Sequence, residues 1–336
     1  MWFVPNDRSA GTPRPVPAIH NGICHVHRLR ACGREPATVG GMDPYVRSAL
    51  ARGHGVASWR ILQAAGMTRA ELRQAVRAGT LRPVRRGWYA TDSAHHLVVQ
   101  AVSAGGVLSC VSALALRGVW FPETCRNTTH VRATETAHRT SNTRFCRQHG
   151  RPQAEDGSVD DVPTALRHAI RCLDEESIVI MLDSILNLRL LSFEEITELL
   201  RDCPGDVRAL LDKTDRAESG TETMVRLRLR ARNLGLTPQV SIPGIGRVDF
   251  LVGHRLIIEV DGAAFHLSAH QYERDHHRDL VAHALNYIPL RLTYAQVVYE
   301  WEECESMILA ITRRREHLRQ PQRWESPANL GTNPTG

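Results

Sequence analysis

Two acidic residues, Glu259 and Asp261, stand two apart in the apolar run Leu256-Ile-Ile-Glu-Val-Asp261 of this 336-residue chain. In an extended strand that spacing sends both carboxylates to one face, while Leu256, Ile258 and Val260 face a core on the other. Paired carboxylates on an apolar strand repel each other and lose hydration, which is costly unless a cation offsets it. Asp249 lies on the preceding run Arg247-Val-Asp-Phe-Leu-Val252, and the turn Gly253-His254-Arg255 folds the two runs into a hairpin. A three-residue loop there pairs Val252 with Leu256 and sets Asp249 opposite Glu259 on one face. A two-residue loop would turn Asp249 away unless a bulge corrected the slip. Three clustered oxygen ligands suit a hard divalent cation, Mg2+ or Mn2+, which keeps waters and takes one or two carboxylates plus a phosphate substrate. Such a metal acidifies its bound water and stabilises charge on a phosphodiester oxygen, the chemistry of a metal-dependent nuclease.

The elements around these acids read as α-β-β-β-α-β-α over residues 215–315. Ser219-Gly-Thr-Glu222 starts a helix running to about Asn233, and Val240–Ile242 is a short strand before the hairpin. Ser268-Ala-His-Gln271 caps a helix towards Leu285, Ile288–Leu292 is a further strand, and a last helix spans roughly Tyr299–Arg315. Several residues have two readings. Glu222, third after Ser219, either completes a capping box or joins the acids. His266, after an apolar Ala-Ala-Phe run, is either structural or a general acid/base with a pKa suited to neutral pH. Asp275 and Arg278 read as a helix-surface ion pair. Arg291 either binds phosphate or pairs with an acid of the site. Arg226, Arg228, Arg230 and Arg232 cannot all share one helix face, so at most part of that series faces DNA.

Charge is distributed unevenly. Residues 1–94 hold fourteen arginines against five acids, a surplus of nine, whereas the whole chain is only +6. That surplus locates an electrostatic nucleic-acid footprint. Helical periodicity in Pro44–Arg52 and Ser58–Ala65 precedes a capping box at Thr68-Arg-Ala-Glu71, which opens a third helix that Gly79 ends. Leu81–Tyr89 then reads as a hairpin around Arg86-Gly87. Three helices and a basic hairpin make a winged helix-turn-helix. Its third helix carries Arg69, Arg73 and Arg77 as one stripe, and the hairpin offers Arg82, Arg85 and Arg86 to the backbone of double-stranded DNA. A charged stripe alone is also what a solvated helix face looks like.

Residues 95–214 carry no catalytic pattern and read as a mainly helical connecting or dimerising unit. Leu97–Leu116 is uncharged over a membrane-span length, but Gly105-Gly106 divides it into two buried helices. No membrane segment is expected. A Thr- and Arg-rich stretch, Thr128–Arg147, suggests strands; helices follow around Thr164–Leu173 and Glu175–Leu188, and Ser192-Phe-Glu-Glu195 caps another. The eight cysteines are scattered, none in a C-x-x-C, so a structural zinc site is not expected and free thiols in a reducing cytoplasm are. Residues 1–41 read as a disordered arm or as sequence upstream of a start at Met42, the second being favoured, and 316–336 as a disordered tail.

Two resemblances extend these readings. Asp249-(nine residues)-Glu259-Val-Asp261-Gly262-Ala-Ala-Phe-His266, followed by Arg274-Asp275-His-His-Arg278 and Leu290-Arg291-Leu292-Thr293, resembles an uncharacterised endonuclease-like family. That family is related to very-short-patch-repair endonucleases and to the PD-(D/E)XK superfamily. The resemblance implies a restriction-endonuclease-like core and Mg2+-dependent DNA cleavage, with Asp249 and Glu259 as metal carboxylates and Glu222 as the acid of the first helix. The chain departs from the superfamily where its usual lysine, two after the second acid, is replaced by Asp261. The one lysine of the chain, Lys213, precedes the domain. Relatives with D-G-x-x-x-H imply instead that Asp261 is a further ligand and His266 a general acid/base. The segment from Val56 to Ala90 resembles the AbiEi-type antitoxin winged helix, which implies DNA binding and a link to a toxin or defence-system partner. The expected architecture is mixed α/β: a winged helix-turn-helix at 42–94, a middle unit at 95–214 and an endonuclease-like core at 215–315. The alternative expectation is a DNA-binding regulator whose nuclease fold is catalytically silent.

Overall fold

The computed structural model describes residues 41–133, 142–147, 157–215, 217–261 and 269–322, with only the backbone for 269–276. The fold is mixed α/β, with three small sheets inside a single unit over the described residues. Among the described residues no helix is long and apolar enough to cross a membrane. The arm and most of the tail lie outside the described residues.

The first sheet is embedded in helices α1 (Pro44–Arg52), α2 (Trp59–Ala64) and α3 (Arg69–Arg77). Its strands β1 (Val56–Ser58), β2 (Arg82–Arg85) and β3 (Trp88–Ala90) lie in the order β1-β3-β2. Thr68 and Glu71 form the expected reciprocal cap, each bonding the other's backbone N–H at 3.2 and 2.8 Å, and so fix where α3 starts. Leu72 and Ala75 are buried against Leu50 and Leu62, and Gly87, at φ +78°, makes the tight turn of the hairpin. Strand β1 was not expected. Three residues between two helices are too short to show a period.

The middle segment differs more from expectation. Helices α4 (His96–Ser103) and α5 (Cys110–Ala115) flank not a turn but a strand, β4 (Gly106–Leu108). It pairs antiparallel with β5 (Thr129–Ala133), which pairs in parallel with β6 (Thr143–Phe145). All three β4 residues are buried, and a fully buried strand has the same apolar look as a buried helix. The unit is therefore helical around a three-stranded sheet, completed by α6 (Val162–Ala169), α7 (Glu175–Asn187), α8 (Phe193–Leu200) and α9 (Gly205–Ala209).

The third sheet, order β10-β9-β8-β7, matches the expected α-β-β-β-α-β-α sequence of elements. Helix α10 (Gly220–Ala231) precedes β7 (Leu236–Ile242), β8 (Gly246–Val252) and β9 (Leu256–Val260). Then come α11 (Ala269–Ala284), β10 (Ile288–Leu292) and a last helix broken into α12 (Tyr294–Tyr299) and α13 (Trp301–Arg313). Phe250, Val252, Leu256, Ile258 and Val260 pack under α10, α12 and α13, while Leu251 and Ile257 meet α11. On the free edge, β7 carries Pro238 and, next to it, Gln239 in the left-handed region at φ +53°. Residues as far as 322 pack back onto this sheet rather than leaving it as a tail from 316. The His317 carbonyl accepts from His254 N–H at 2.8 Å, and Gln322 N–H donates to Leu285 O at 2.9 Å.

The three arginines of α10 and Arg232 at its C-cap each pair with an acid, two of these acids on α7. Arg226 pairs with Asp183 of α7, Arg228 with Glu176, Arg230 with Asp215 and Arg232 with Glu305. The series joins α10 to its surroundings through ion pairs. Beside it, a Cβ on Gly220 would overlap the Trp120 indole ring. Gly220→Ala is therefore expected to cost roughly 1–3 kcal/mol as overpacking, read as a lower urea midpoint at unchanged slope.

Candidate functional site

The β8–β9 turn settles the register on which the site depends. Val252 pairs with Leu256, Leu251 with Ile257 and Phe250 with Ile258, as a three-residue loop requires. One step further sets Asp249 beside Glu259, and the Asp249 carboxylate accepts the Val260 N–H at 2.8 Å. Pairing with the outer strands extends the line. Pro238 and Val240 flank Gln239 opposite Phe250 and Val248, and Arg291 pairs with Glu259. Gln239, Asp249, Glu259 and Arg291 thus form one row across all four strands.

Helices supply the rest. Ser219 Oγ accepts the Glu222 N–H at 3.2 Å, but the Glu222 carboxylate does not return the bond as a capping box would. Its Oε2 accepts instead from Glu218 N–H and from Gln239 Nε2, both at 2.9 Å. Glu222 is buried and bonded to Gln239 of the row, and it forms no capping box. From α11, Arg278 donates to Glu259 Oε1 at 2.7 Å; from β10, Arg291 donates to Oε2 at 2.8 Å. Arg291 also reaches Asp279 at 3.2 Å and lies 3.9 Å from Asp261, so it pairs with the acids of the row. Asp261 follows β9 and is the more open acid, its side chain 40% exposed against 18% for Glu259. His266 lies outside the described residues. Lys213 is engaged elsewhere, 3.6 Å from Glu175.

Electrostatics sharpen the picture. Burial, with the negative charges of Glu222 and Glu218 added, pushes the Asp249 carboxyl up to about 6 against the pull of the Val260 N–H. Burial also raises Glu259, and Arg278 and Arg291 pull it back. A cleft of about 680 Å3 opens alongside, lined in part by Glu218, Gln239 and Arg247.

In the basic N-terminal segment, Arg69, Arg73 and Arg77 are all exposed along α3, with Arg69 stacked 5.4 Å from the Trp59 ring centre. Arg82 and Arg86 are exposed on the hairpin. Arg85 leaves that set. It is half-buried, over Trp88 at 5.1 Å and 3.5 Å from the Gly106 carbonyl, because β2 packs on the middle unit.

Sequence reasoning missed Gln239, whose part depends on its place across from Asp249, and the pair of Arg278 with Glu259; the Asp275 side chain lies outside the described residues. It also missed a cluster in the middle unit. Cys110, His130, Cys146 and Cys172 present ligand atoms all within 4.8 Å of one another, and burial pushes the Cys110 thiol far up. Nineteen, fifteen and twenty-five residues separate them, so spacing carried no signal. Among the described residues it is this set, not the carboxylates, whose ligand atoms converge so closely. In comparison with known proteins, no family model and no curated sequence matches the chain.

Proposed function

We propose that the chain is a DNA endonuclease dependent on Mg2+ or Mn2+, with a winged helix-turn-helix that grips duplex DNA and a restriction-endonuclease-like core that cuts it. The observation that carries this reading is the row itself: Asp249 beside Glu259, flanked by buried Glu222, with the Asp249 carboxyl raised by burial and then by the charges of Glu222 and Glu218. Buried acids gathered in this way suit a hard divalent cation, and the donors are all oxygens. Asp249 and Glu259 would hold the ion, with Asp261 at the open end of the row. When bound it supplies an acidified water and charge stabilisation on the phosphodiester. The protein's own groups orient the acids. Val260 N–H fixes Asp249, Gln239 fixes Glu222, and Arg278 and Arg291 hold Glu259 where either guanidinium can also meet a phosphate oxygen. His266 is proposed as the proton-transfer group. Arg69, Arg73, Arg77, Arg82 and Arg86 would contact the phosphate backbone.

A second reading has its own observation. Both oxygens of Glu259 accept from guanidinium groups, and Asp261 stands where the lysine is expected. This favours a DNA-binding regulator with a silent core, of the antitoxin-like kind that acts with a toxin or defence-system partner.

Supercoiled plasmid with pure protein and Mg2+ or Mn2+ separates the two. Nicking is expected from the wild type and not from Asp249→Ala or Glu259→Ala; absence of nicking, or nicking that survives both substitutions, removes the nuclease reading. Duplex binding is expected under either reading. Replacing Arg69, Arg73 and Arg77 by Ala should flatten its salt dependence by up to about three units of log–log slope.

A further inference from the structure

The Cys110, His130, Cys146 and Cys172 cluster takes no part in the reading above and does not depend on it. Four separate elements bring it together. Cys110 opens α5, His130 is on the central strand β5, Cys146 follows β6, and Cys172 is in the turn after α6. Backbone bonds hold the first three in place. Ser109 N–H donates to His130 O at 3.0 Å, His130 N–H to Ser112 Oγ at 2.9 Å, and Cys146 N–H to Val131 O at 2.9 Å. Cys146 Sγ already lies 3.6 Å from His130 Nδ1. Cys110, His130 and Cys146 are buried and Cys172 is partly so.

A tetrahedral zinc with Zn–S bonds of about 2.3 Å needs sulfurs roughly 3.8 Å apart. Ligand atoms within 4.8 Å reach that with small side-chain adjustments. Three thiolates and an imidazole are a soft donor set that selects Zn2+ over Mg2+ or Ca2+. Four protein ligands without an open position make a structural site rather than a catalytic one. We propose that these four residues bind a structural Zn2+ that locks the middle sheet to α5 and α6.

The test uses full-length protein purified without chelator, its zinc measured by plasma mass spectrometry. Near-stoichiometric zinc is expected in the wild type and in Cys125→Ser and Cys203→Ser, which alter thiols outside the cluster. Cys110→Ser and Cys172→Ser should carry at least about tenfold less. Should those variants not fold, wild-type protein stripped under reducing conditions and reloaded with Co2+ decides the matter. Thiolate-to-cobalt charge transfer with intense tetrahedral ligand-field bands is expected, together with a thermal midpoint that drops when the metal is chelated. Reduced wild type that takes neither Zn2+ nor Co2+, a cobalt spectrum without thiolate bands, or a disulfide joining two of the three cysteines in the native protein would each overturn the proposal.

Discussion

Arg226→Ala is expected to destabilise the protein by about 3–5 kcal/mol, the usual result of leaving one member of a buried ion pair alone. The side chain of Arg226 is fully buried and that of Asp183 only 3% exposed, with 2.5 Å between Nη2 and Oδ2. Arg226 Nη1 also donates to the Lys213 carbonyl at 2.6 Å, and Thr223 Oγ1 donates to Asp183 at 2.7 Å. Removing the guanidinium strands a carboxylate among α7 and α10 while also emptying a large buried volume. Burial already raises the Asp183 carboxyl, and Arg226 opposes that rise. Without Arg226 the folded-state pKa climbs further above the unfolded value of about 3.9. The folded variant then binds a proton that the unfolded chain does not hold, so its stability falls as pH rises through that interval and recovers as pH is lowered. Denaturant unfolding at a series of pH values measures both effects. A variant as stable as the wild type at neutral pH, or one whose deficit is the same at every pH, contradicts this account. Asp183→Leu combined with Arg226→Met should lose much less than Arg226→Ala, because no charge is left unpaired.

Asp249→Asn is expected to have opposite effects on stability and on cleavage. Asn can still accept the Val260 N–H, so the hairpin geometry survives. Ionising Asp249 is a burden in the metal-free fold, since its carboxyl stands at about 6 against an ordinary 3.8. The folded pKa is raised, so this burden is fully present above about 6, fades as pH falls, and is gone below the unfolded value. With partial solvent access discounted, it is on the order of 1–2 kcal/mol at pH 7.5. The Asn variant should therefore melt higher than the wild type in EDTA at pH 7.5 and match it near pH 4. Mg2+ should raise the midpoint of the wild type at pH 7.5 and leave the variant unmoved. Nicking should fall at least about a hundredfold. Equal midpoints in EDTA at all pH values would remove the electrostatic premise, whereas nicking that persists would remove the catalytic one.

The parts legible in the sequence were those with a local rule. The Gly253–Arg255 turn and the period-two alternation announced the hairpin and left two registers for Asp249, of which the pairing of Val252 with Leu256 chose one. The capping boxes at Thr68 and Ser192 announced α3 and α8. What escaped was non-local. Strand β4 has three buried residues that no periodicity could classify, and its identity comes from pairing with β5. Gln239 becomes part of the row only because β7 lies beside β8. The cysteines looked scattered because the sequence separates what the fold converges. Glu222 lies between these extremes: its spacing suggested two roles, and the bond of its carboxylate to Gln239 removes the capping box.

The free edge of the C-terminal sheet has a consequence for assembly. Pro238 offers β7 no backbone donor there, and the left-handed turn of Gln239 breaks the flat run of hydrogen-bonding groups that a neighbouring strand would need. Two copies therefore cannot build one continuous sheet through β7, and the same interruption guards the edge against end-to-end fibre growth.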